Sequence, residues 1–236
     1  MVQTNYFQSV RRALAVLVDP DKADKAHLDN LLEHDDVVSF YFVGGSLVSD
    51  YRFDEVIGYL KSHTDTPVLL FPGSGMHISA KADGVLFLSL ISGRNPEYLI
   101  GQQVQAAPQV QAAKLKVIPT GYMLIDGGTV TTAIYISNTL PIPNDKDDVA
   151  VCTALAGEML GLSCLYLDGG SGAENTVSLS MITKVKSSVK LPVIVGGGVR
   201  SFEQVTKMWD AGAEIVVIGT AAERDPDLLK SFEKAL

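Results

Sequence analysis

The sequence predicts an α/β fold, a modified TIM or (β/α)8 barrel in which the helix after the third strand is missing or irregular. Eight apolar segments recur along the chain, and stretches with helical periodicity separate most of them. The length of 236 residues lies near the roughly 250 residues typical of such barrels. We therefore expect one domain over residues 1–236. A doubly wound open sheet is the alternative, but no Gly-x-Gly-x-x-Gly motif follows the first apolar segment.

The composition is that of a folded protein with a large core. Hydrophobic residues make up 47% and charged residues 19% of the chain, which argues against disorder. The formal net charge of −8 argues against a nucleic-acid partner. No apolar run reaches the ~18 residues that cross a bilayer, and the N-terminus lacks the basic-then-apolar pattern of a signal peptide. We expect a cytoplasmic protein without a transmembrane segment, with Cys152 and Cys164 as buried free thiols.

Strands are predicted where apolar runs are continuous, as expected when helices cover a parallel sheet. They span residues 13–18, 37–43, 67–71, 84–91, 116–125, 163–168, 191–195 and 215–218. Helices are predicted where apolar residues recur every three to four positions. They span residues 26–34, 54–62, 96–107, 149–160, 177–188, 202–211 and 225–235.

Several local sequence features mark where these strands and helices end or are interrupted. The first strand stops at Asp19-Pro20. Only residues 72–83 lie between the third and fourth strands, which is short for a helical crossover. Pro119 interrupts the fifth strand. A polar segment without predicted helix or strand, called the excursion below, follows this strand from 126 to 148. The helix over 149–160 then ends at Gly161, a typical position for glycine.

Glycines follow the seventh and eighth strands, at Gly196-Gly197-Gly198 and at Gly219-Thr220. In barrels of this type, phosphate groups commonly bind at these two loops, because small residues let phosphate oxygens approach main-chain N–H groups. The alternative is that the glycines only form tight turns between strand and helix. Because both loops have the residues expected at these two positions, the pair favours a phosphate site. It does not indicate which reaction occurs there.

Acidic residues follow the first strand, in Asp19-Pro20-Asp21-Lys22. Carboxylates at the carboxyl edge of a barrel are suited to Mg²⁺, which takes one or two of them and completes its shell with water and substrate phosphate. The neighbouring loop ends in Ser46, whose hydroxyl could join the same ion. The alternative is that Asp-Pro only starts a helix, and these residues alone do not decide between the two.

The sixth strand ends in a carboxylate, Asp168, which is followed by Gly169, Gly170, Ser171 and Gly172. An acid in this position can serve as a general base, but taken alone it is more often a helix cap. The four histidines show no ligand spacing, and no Ser-His-Asp arrangement is visible.

Several of these stretches together resemble the geranylgeranylglyceryl phosphate synthases, in particular the larger group of that family, which includes bacterial members. The matching stretches run in order from the first strand to the eighth: Asp19 to Lys22, Phe42 to Ser46, Leu70 to Gly73, Ser92 to Pro96, Pro141 to Pro143, Tyr166 to Ala173, Gly196 to Arg200, and Gly219-Thr220.

The resemblance implies a Mg²⁺-dependent transfer of a prenyl chain from its diphosphate to the C3 hydroxyl of sn-glycerol 1-phosphate, which forms an ether lipid precursor. It implies a homo-oligomer, either a dimer or a hexamer. Asp19 and Ser46 match the family's metal positions, and Asp168 and Tyr166 are the implied catalytic residues. The positions that match the family's glycerol-phosphate contacts are Tyr166, Leu167, Asp168, Gly169, Gly170, Ser171, Gly172, Gly197, Gly198, Gly219 and Thr220.

The chain departs from the family at three positions. Some members have Lys where this chain has Leu17, and many have Glu at the position of Asp168 and Ala at that of Gly169. There are two alternatives to this function. One is a different phosphate-binding barrel enzyme, such as an isomerase or aldolase, and the other is a non-catalytic phosphate- or lipid-binding barrel.

The prenyl chain of the implied substrate needs an apolar groove. The candidates to line it are Phe71, Leu86, Leu88, Tyr98, Tyr122 and Tyr135.

Overall fold

Eight parallel strands form a closed barrel in the order of the sequence, β1 to β8, so the predicted fold class is confirmed. The computed structural model describes residues 1–49, 52–225 and 228–233, without the side chain of residue 233. The strands are β1 (Ala13–Val18), β2 (Phe40–Gly45), β3 (Val68–Pro72), β4 (Gly84–Leu90), β5 (Lys116–Leu124), β6 (Cys164–Asp168), β7 (Val193–Gly196) and β8 (Ile215–Ile218).

Helices surround the barrel and follow most of its strands. A 3₁₀-helix spans Asp35–Val37, and one turn of π-helix, Glu97–Gly101, leads directly into α3. The α-helices within the described ranges are α1 (Lys25–Leu32), α2 (Phe53–His63), α3 (Gln102–Ala112), α4 (Thr132–Ser137), α5 (Asp147–Met159), α6 (Leu179–Ser188), α7 (Phe202–Asp210), α8 (Thr220–Arg224) and α9 (Lys230–Glu233).

Side-chain caps fix the starts of three of these helices. Asp24 accepts a hydrogen bond from the amide of His27 at the start of α1. Ser178 and Ser201 do the same at α6 and α7. Such a cap satisfies a backbone N–H that has no partner within the helix, so each of these residues ends the preceding loop at a defined position.

The strands separate two layers of apolar packing. Along β6, Cys164 and Tyr166 lie in the cluster inside the barrel, whereas Leu165 and Leu167 lie in the larger cluster between the strands and the helices. This alternation follows from the two-residue period of a strand. It decides which side chains of a strand can face a site inside the barrel.

The barrel is irregular between β3 and β4. Residues 73–83 contain no helix, which confirms the prediction for this crossover. Only two residue pairs, Leu69 with Gly84 and Leu70 with Val85, form the register between β3 and β4, whereas seven pairs join β4 to β5. The surface that a helix would cover is therefore left for other groups to pack against.

Neither Pro119 nor Pro108 ends its element, and the interruption predicted at Pro119 is not observed. β5 continues through Pro119, whose carbonyl oxygen accepts a hydrogen bond from the amide of Ser163 at 2.7 Å, so this residue still links two strands. α3 includes Pro108 and ends at Ala112 instead of at 107. Proline costs a helix one hydrogen bond but does not always end it, and here the helix continues for one more turn.

Other boundaries also differ from the prediction. β2 begins at Phe40, because Val37 belongs to the short 3₁₀-helix. The excursion after β5 contains α4, which was not predicted because polar residues flank its six-residue span. Cys164 is buried as expected, but Cys152 is exposed because it lies on the outer face of α5.

The end of the chain is described in part. Of the helix predicted over 225–235, the structure shows α9, Lys230–Glu233, while residues 226, 227 and 234–236 lie outside the described residues. Within the described ranges, none of the helices combines the length and the apolar character needed to cross a bilayer.

Candidate active site

A polar cavity lies at the edge of the barrel where the strands end. Because all eight strands are parallel, their carboxyl ends meet at this edge and bring the loops after β1, β2, β6, β7 and β8 together. The predicted site residues that line the polar cavity are Asp19, Ser46, Tyr166, Asp168, Ser171, Gly172, Gly197, Gly198, Gly219 and Thr220.

Asp19 is held at this edge by its own loop. Its Oδ1 accepts a hydrogen bond from the amide of Asp21 at 3.1 Å, and its Oδ2 lies 2.9 Å from Nζ of Lys22. The same Nζ lies 3.5 Å from Oε2 of Glu223 on α8. Although burial opposes the charged form, the hydrogen bond to Asp19 and the charge of Glu223 raise the pKa of Lys22. A cation is therefore favoured between these two carboxylates.

Asp168 is almost fully buried, with 7% of its surface exposed. Its Oδ1 accepts a hydrogen bond from the amide of Gly170 at 2.7 Å, and its Oδ2 accepts one from the hydroxyl of Tyr122 at 2.5 Å. Burial raises the pKa of Asp168, and these two hydrogen bonds oppose the rise because they stabilise the carboxylate. A carboxyl group with a raised pKa is suited to accept a proton.

The glycine loops after β6 and β7 pack directly on each other. The amide of Gly169 donates to the carbonyl of Gly196 at 3.0 Å. Gly197 and Gly198 have φ angles of +87° and +71°, a region that only glycine adopts without strain. The hydroxyl of Ser171, in the loop after β6, lies 3.1 Å from that of Thr220, which follows β8. The wall of the cavity here is main chain and small hydroxyls, which are suited to an anion.

Three predicted contact residues do not line the cavity: Leu167, Gly169 and Gly170. The side chain of Leu167 points into the outer apolar layer because of the alternation along β6. Gly169 and Gly170 are buried beneath the loop after β7, where they pack against Gly197. Tyr166 lines the cavity but is only 1% exposed, and its hydroxyl lies against the main chain of Gly196.

Replacing Gly197 with alanine is expected to destabilise the protein by about 2–5 kcal/mol, from positive-φ strain together with overpacking. A Cβ there would lie 2.5 Å from the amide nitrogen of Gly170. Gly161→Ala is the matched control, because Gly161 has a φ of +81° but open space around it, so only the strain remains. Urea unfolding of both variants measures the difference. Equal losses would contradict the close packing of the two loops.

A second cavity, the apolar groove, lies above the gap between β3 and β4. It is lined mostly by apolar side chains from β3, β4, β5, α3 and α4. Gly45, Ser46 and Phe71 line both the apolar groove and the polar cavity, so the two cavities adjoin at these residues.

Four of the six groove candidates from the sequence line this groove: Phe71, Leu88, Tyr98 and Tyr122. Leu86 is fully buried inside the barrel; Leu88 is on the same face of β4 but lies two residues nearer the carboxyl end of the strand. Tyr135 lies on the outer face of α4 and is 78% exposed.

Two residues of the site were not recognised from the sequence. Glu223 reaches Lys22 from α8, and no pattern in the chain relates an acid at 223 to one at 19. Tyr122 was named only as a groove candidate, yet its hydroxyl contacts Asp168. The closed order of strands could have indicated this contact, since β5 and β6 are neighbours in any eight-stranded barrel.

The chain is similar to several known proteins. The model of the PcrB family matches residues 8–236. A geranylgeranylglyceryl phosphate synthase of Spirosoma linguale is 53% identical over 227 residues, 95% of this chain and 91% of the relative. Another, of Chitinophaga pinensis, is 50% identical over 227 residues, 95% of this chain and 90% of the relative.

A solved structure is also similar. It is (S)-3-O-geranylgeranylglyceryl phosphate synthase from Thermoplasma acidophilum in complex with its substrate sn-glycerol-1-phosphate, with a TM-score of 0.89 and 34% identity. The match covers 97% of this chain and 93% of that one. The resemblance deduced from the sequence motifs is thus confirmed, and the chain belongs to the PcrB family.

Proposed function

We propose that this protein transfers a geranylgeranyl chain from its diphosphate to the C3 hydroxyl of sn-glycerol 1-phosphate. The protein is an enzyme of the prenyltransferase class. The products are pyrophosphate and a prenylglyceryl phosphate joined by an ether bond. The names of the relatives and the substrate in the similar crystal structure support the choice of both reactants.

The observation that carries this proposal is that the two cavities adjoin. A prenyl diphosphate has a long apolar chain and a highly charged head, and the protein offers an apolar groove beside a polar cavity. Gly45, Ser46 and Phe71 lie where the two meet. A donor that fills the groove places its allylic carbon at this junction, next to the acceptor in the polar cavity.

The acceptor is proposed to bind with its phosphate at the loops after β7 and β8. Gly197, Gly198, Gly219 and Thr220 supply main-chain groups and a hydroxyl there. The glycerol then extends toward Asp168 and Tyr166 in the same cavity. Holding the acceptor at both ends lowers the entropic cost of bringing two substrates together.

The donor set near β1 and β2 fits Mg²⁺. Asp19 and Ser46 contribute hard oxygen atoms to one cavity, and the ammonium group of Lys22 already lies against Asp19. The described residues contain no group of three or more His, Cys, Asp or Glu side chains that could hold a metal, so Mg²⁺ would complete its shell with water and diphosphate oxygens. When bound, Mg²⁺ supplies Lewis-acid stabilisation of the leaving diphosphate.

The protein's own groups handle the proton. The C3 hydroxyl of the acceptor forms a new C–O bond to the allylic carbon while the bond from that carbon to the diphosphate oxygen breaks. Asp168 accepts the hydroxyl proton, and burial has raised its pKa toward a range suited to this role. Lys22 remains protonated, because its pKa is raised, and can balance charge on the departing diphosphate.

The test is an assay with sn-glycerol 1-phosphate, Mg²⁺ and either geranylgeranyl or dimethylallyl diphosphate. We expect pyrophosphate and an ether product, with a higher kcat/KM for the long donor because only it fills the groove. sn-Glycerol 3-phosphate is the matched acceptor control and should react poorly. Binding of sn-glycerol 1-phosphate without turnover would instead support a non-catalytic barrel.

Three further features stay predictions: one domain over residues 1–236, a homo-oligomer of two or six chains, and a cytoplasmic location. The first rests on the length of the chain, and the last on its composition. The oligomeric state rests on the family resemblance alone.

A further inference from the structure

Tyr122 connects the two cavities. Its ring lines the apolar groove, whereas its hydroxyl donates a hydrogen bond of 2.5 Å to Oδ2 of Asp168, which lines the polar cavity. The residue stands opposite Tyr166 in the pairing of β5 with β6, and Leu124 stands opposite Asp168. Tyr122 therefore reaches Asp168 along a diagonal between neighbouring strands.

The ring of Tyr122 is fixed by two other aromatic rings. Its centroid lies 5.6 Å from that of Tyr166 and 6.0 Å from that of Phe71. These two rings are in turn stacked on each other at 5.1 Å. Because the packing holds the ring, the hydroxyl is aimed at Asp168 before any substrate binds, and forming the contact costs little side-chain entropy.

The contact leaves Asp168 able to act as a base. A carboxylate has about four lone-pair sites, and the amide of Gly170 and the hydroxyl of Tyr122 each take one of them on different oxygens. Burial and the neighbouring Asp168 charge raise the pKa of Tyr122 well above its ordinary value, so Tyr122 keeps its proton and acts as a donor.

We propose that Tyr122 is a positioning residue, which holds the carboxylate of Asp168 ionised and oriented for proton transfer by donating its hydroxyl hydrogen. The inference rests on the proposed function, in which Asp168 is the base. It also explains how Asp168 can replace the longer glutamate that many family members have. The hydroxyl of Tyr122 on β5 fixes one carboxylate oxygen, and the amide of Gly170 fixes the other.

The surroundings of Asp168 contain few other groups that could affect its protonation. In the described part of the chain, the titratable side chains placed against it are Tyr122 from β5 and Tyr166 from β6 itself. The neighbouring strand β7 presents Gly196, and the loop after β6 presents Gly170. Removing the hydroxyl of Tyr122 therefore changes one interaction of Asp168 and leaves its other neighbours in place.

The experiment compares the wild type with Tyr122→Phe, which keeps the ring and its packing. In the free protein, the ¹³C signal of the Asp168 carboxyl is followed against pH and assigned with Asp168→Asn. We expect its pKa to rise by about 1–2 units, because a hydrogen bond to a charged group is lost. The pH below which kcat falls should shift to a higher value by a similar number of pH units.

Tyr41→Phe is the matched control. Tyr41 is also a buried strand tyrosine, and its hydroxyl contacts the carbonyl of Leu31 on the outer side of the barrel. It should leave both the titration of Asp168 and the pH profile unchanged. Equal thermal unfolding of the two variants would exclude a general loss of structure.

The outcomes separate this inference from the function that it rests on. An unchanged Asp168 titration in Tyr122→Phe would overturn the role of Tyr122, whatever the enzyme's reaction. A shifted titration with an unmoved kcat profile would show that Asp168 is not the base, which overturns the proposed mechanism and the positioning role together. Shifts of both in the same direction support the inference.

Discussion

Asp19→Asn is expected to lower kcat by about 10³-fold or more, because the Lewis-acid contribution of a metal is worth several kcal/mol. Asparagine can still accept the hydrogen bond from the amide of Asp21, so the loop should keep its shape. Binding of sn-glycerol 1-phosphate, measured by calorimetry, should change far less, because its proposed phosphate loops follow β7 and β8. Mn²⁺ binding, followed by electron paramagnetic resonance, should weaken in parallel with kcat.

The control for this variant is Asp24→Asn. Asp24 lies in the same loop and caps α1, a role that asparagine also fills, and it does not line the polar cavity. It should retain wild-type kcat and Mn²⁺ binding. If Asp19→Asn weakened acceptor binding as much as it lowers kcat, Asp19 would belong to the acceptor and not to the metal.

Asp168→Asn should reduce kcat by about 10²–10⁴-fold, the contribution typical of a positioned general base. Its second effect is on pH dependence. The wild-type base must be ionised, so activity falls as the pH drops through the pKa of Asp168, which burial raises. The variant has no such group and should lose this limb of the profile. Steady-state kinetics across pH measure both effects.

Asp126→Asn provides a closely matched comparison. Asp126 follows β5, and its Oδ1 accepts a hydrogen bond from the amide two residues later at 2.9 Å, as Asp168 does after β6 at 2.7 Å. Asp126 lines neither cavity. Wild-type rates are expected for Asp126→Asn, and an equal loss in both variants would assign the effect to loop structure instead of proton transfer.

The sequence was sufficient to predict the barrel because its strands are nearly continuous apolar runs. β1 and β8 have the predicted bounds, Ala13–Val18 and Ile215–Ile218. The missing helix followed from simple chain length between β3 and β4. One error arose where one residue type has two possible effects: Pro119 was expected to interrupt β5, yet the strand continues through it.

The meeting of the candidate site residues at one cavity was predictable where a residue directly follows a strand. Asp19, Ser46, Asp168 and Gly219 all meet at one edge because parallel strands place their ends together. Contacts that depend on side-chain direction were not predictable in the same way. Leu167 shares the motif of its neighbours, yet the strand turns its side chain outward.

The register between β3 and β4 is the shortest among the paired strands of the barrel. Local opening requires least free energy where few backbone hydrogen bonds must break, and only two residue pairs join these strands. The apolar groove lies above this seam, while the polar cavity is built mainly on the glycine loops and strand ends at the opposite part of the ring. We therefore expect the wall of the groove at this seam to open more readily than the wall at β4 and β5, which seven residue pairs join.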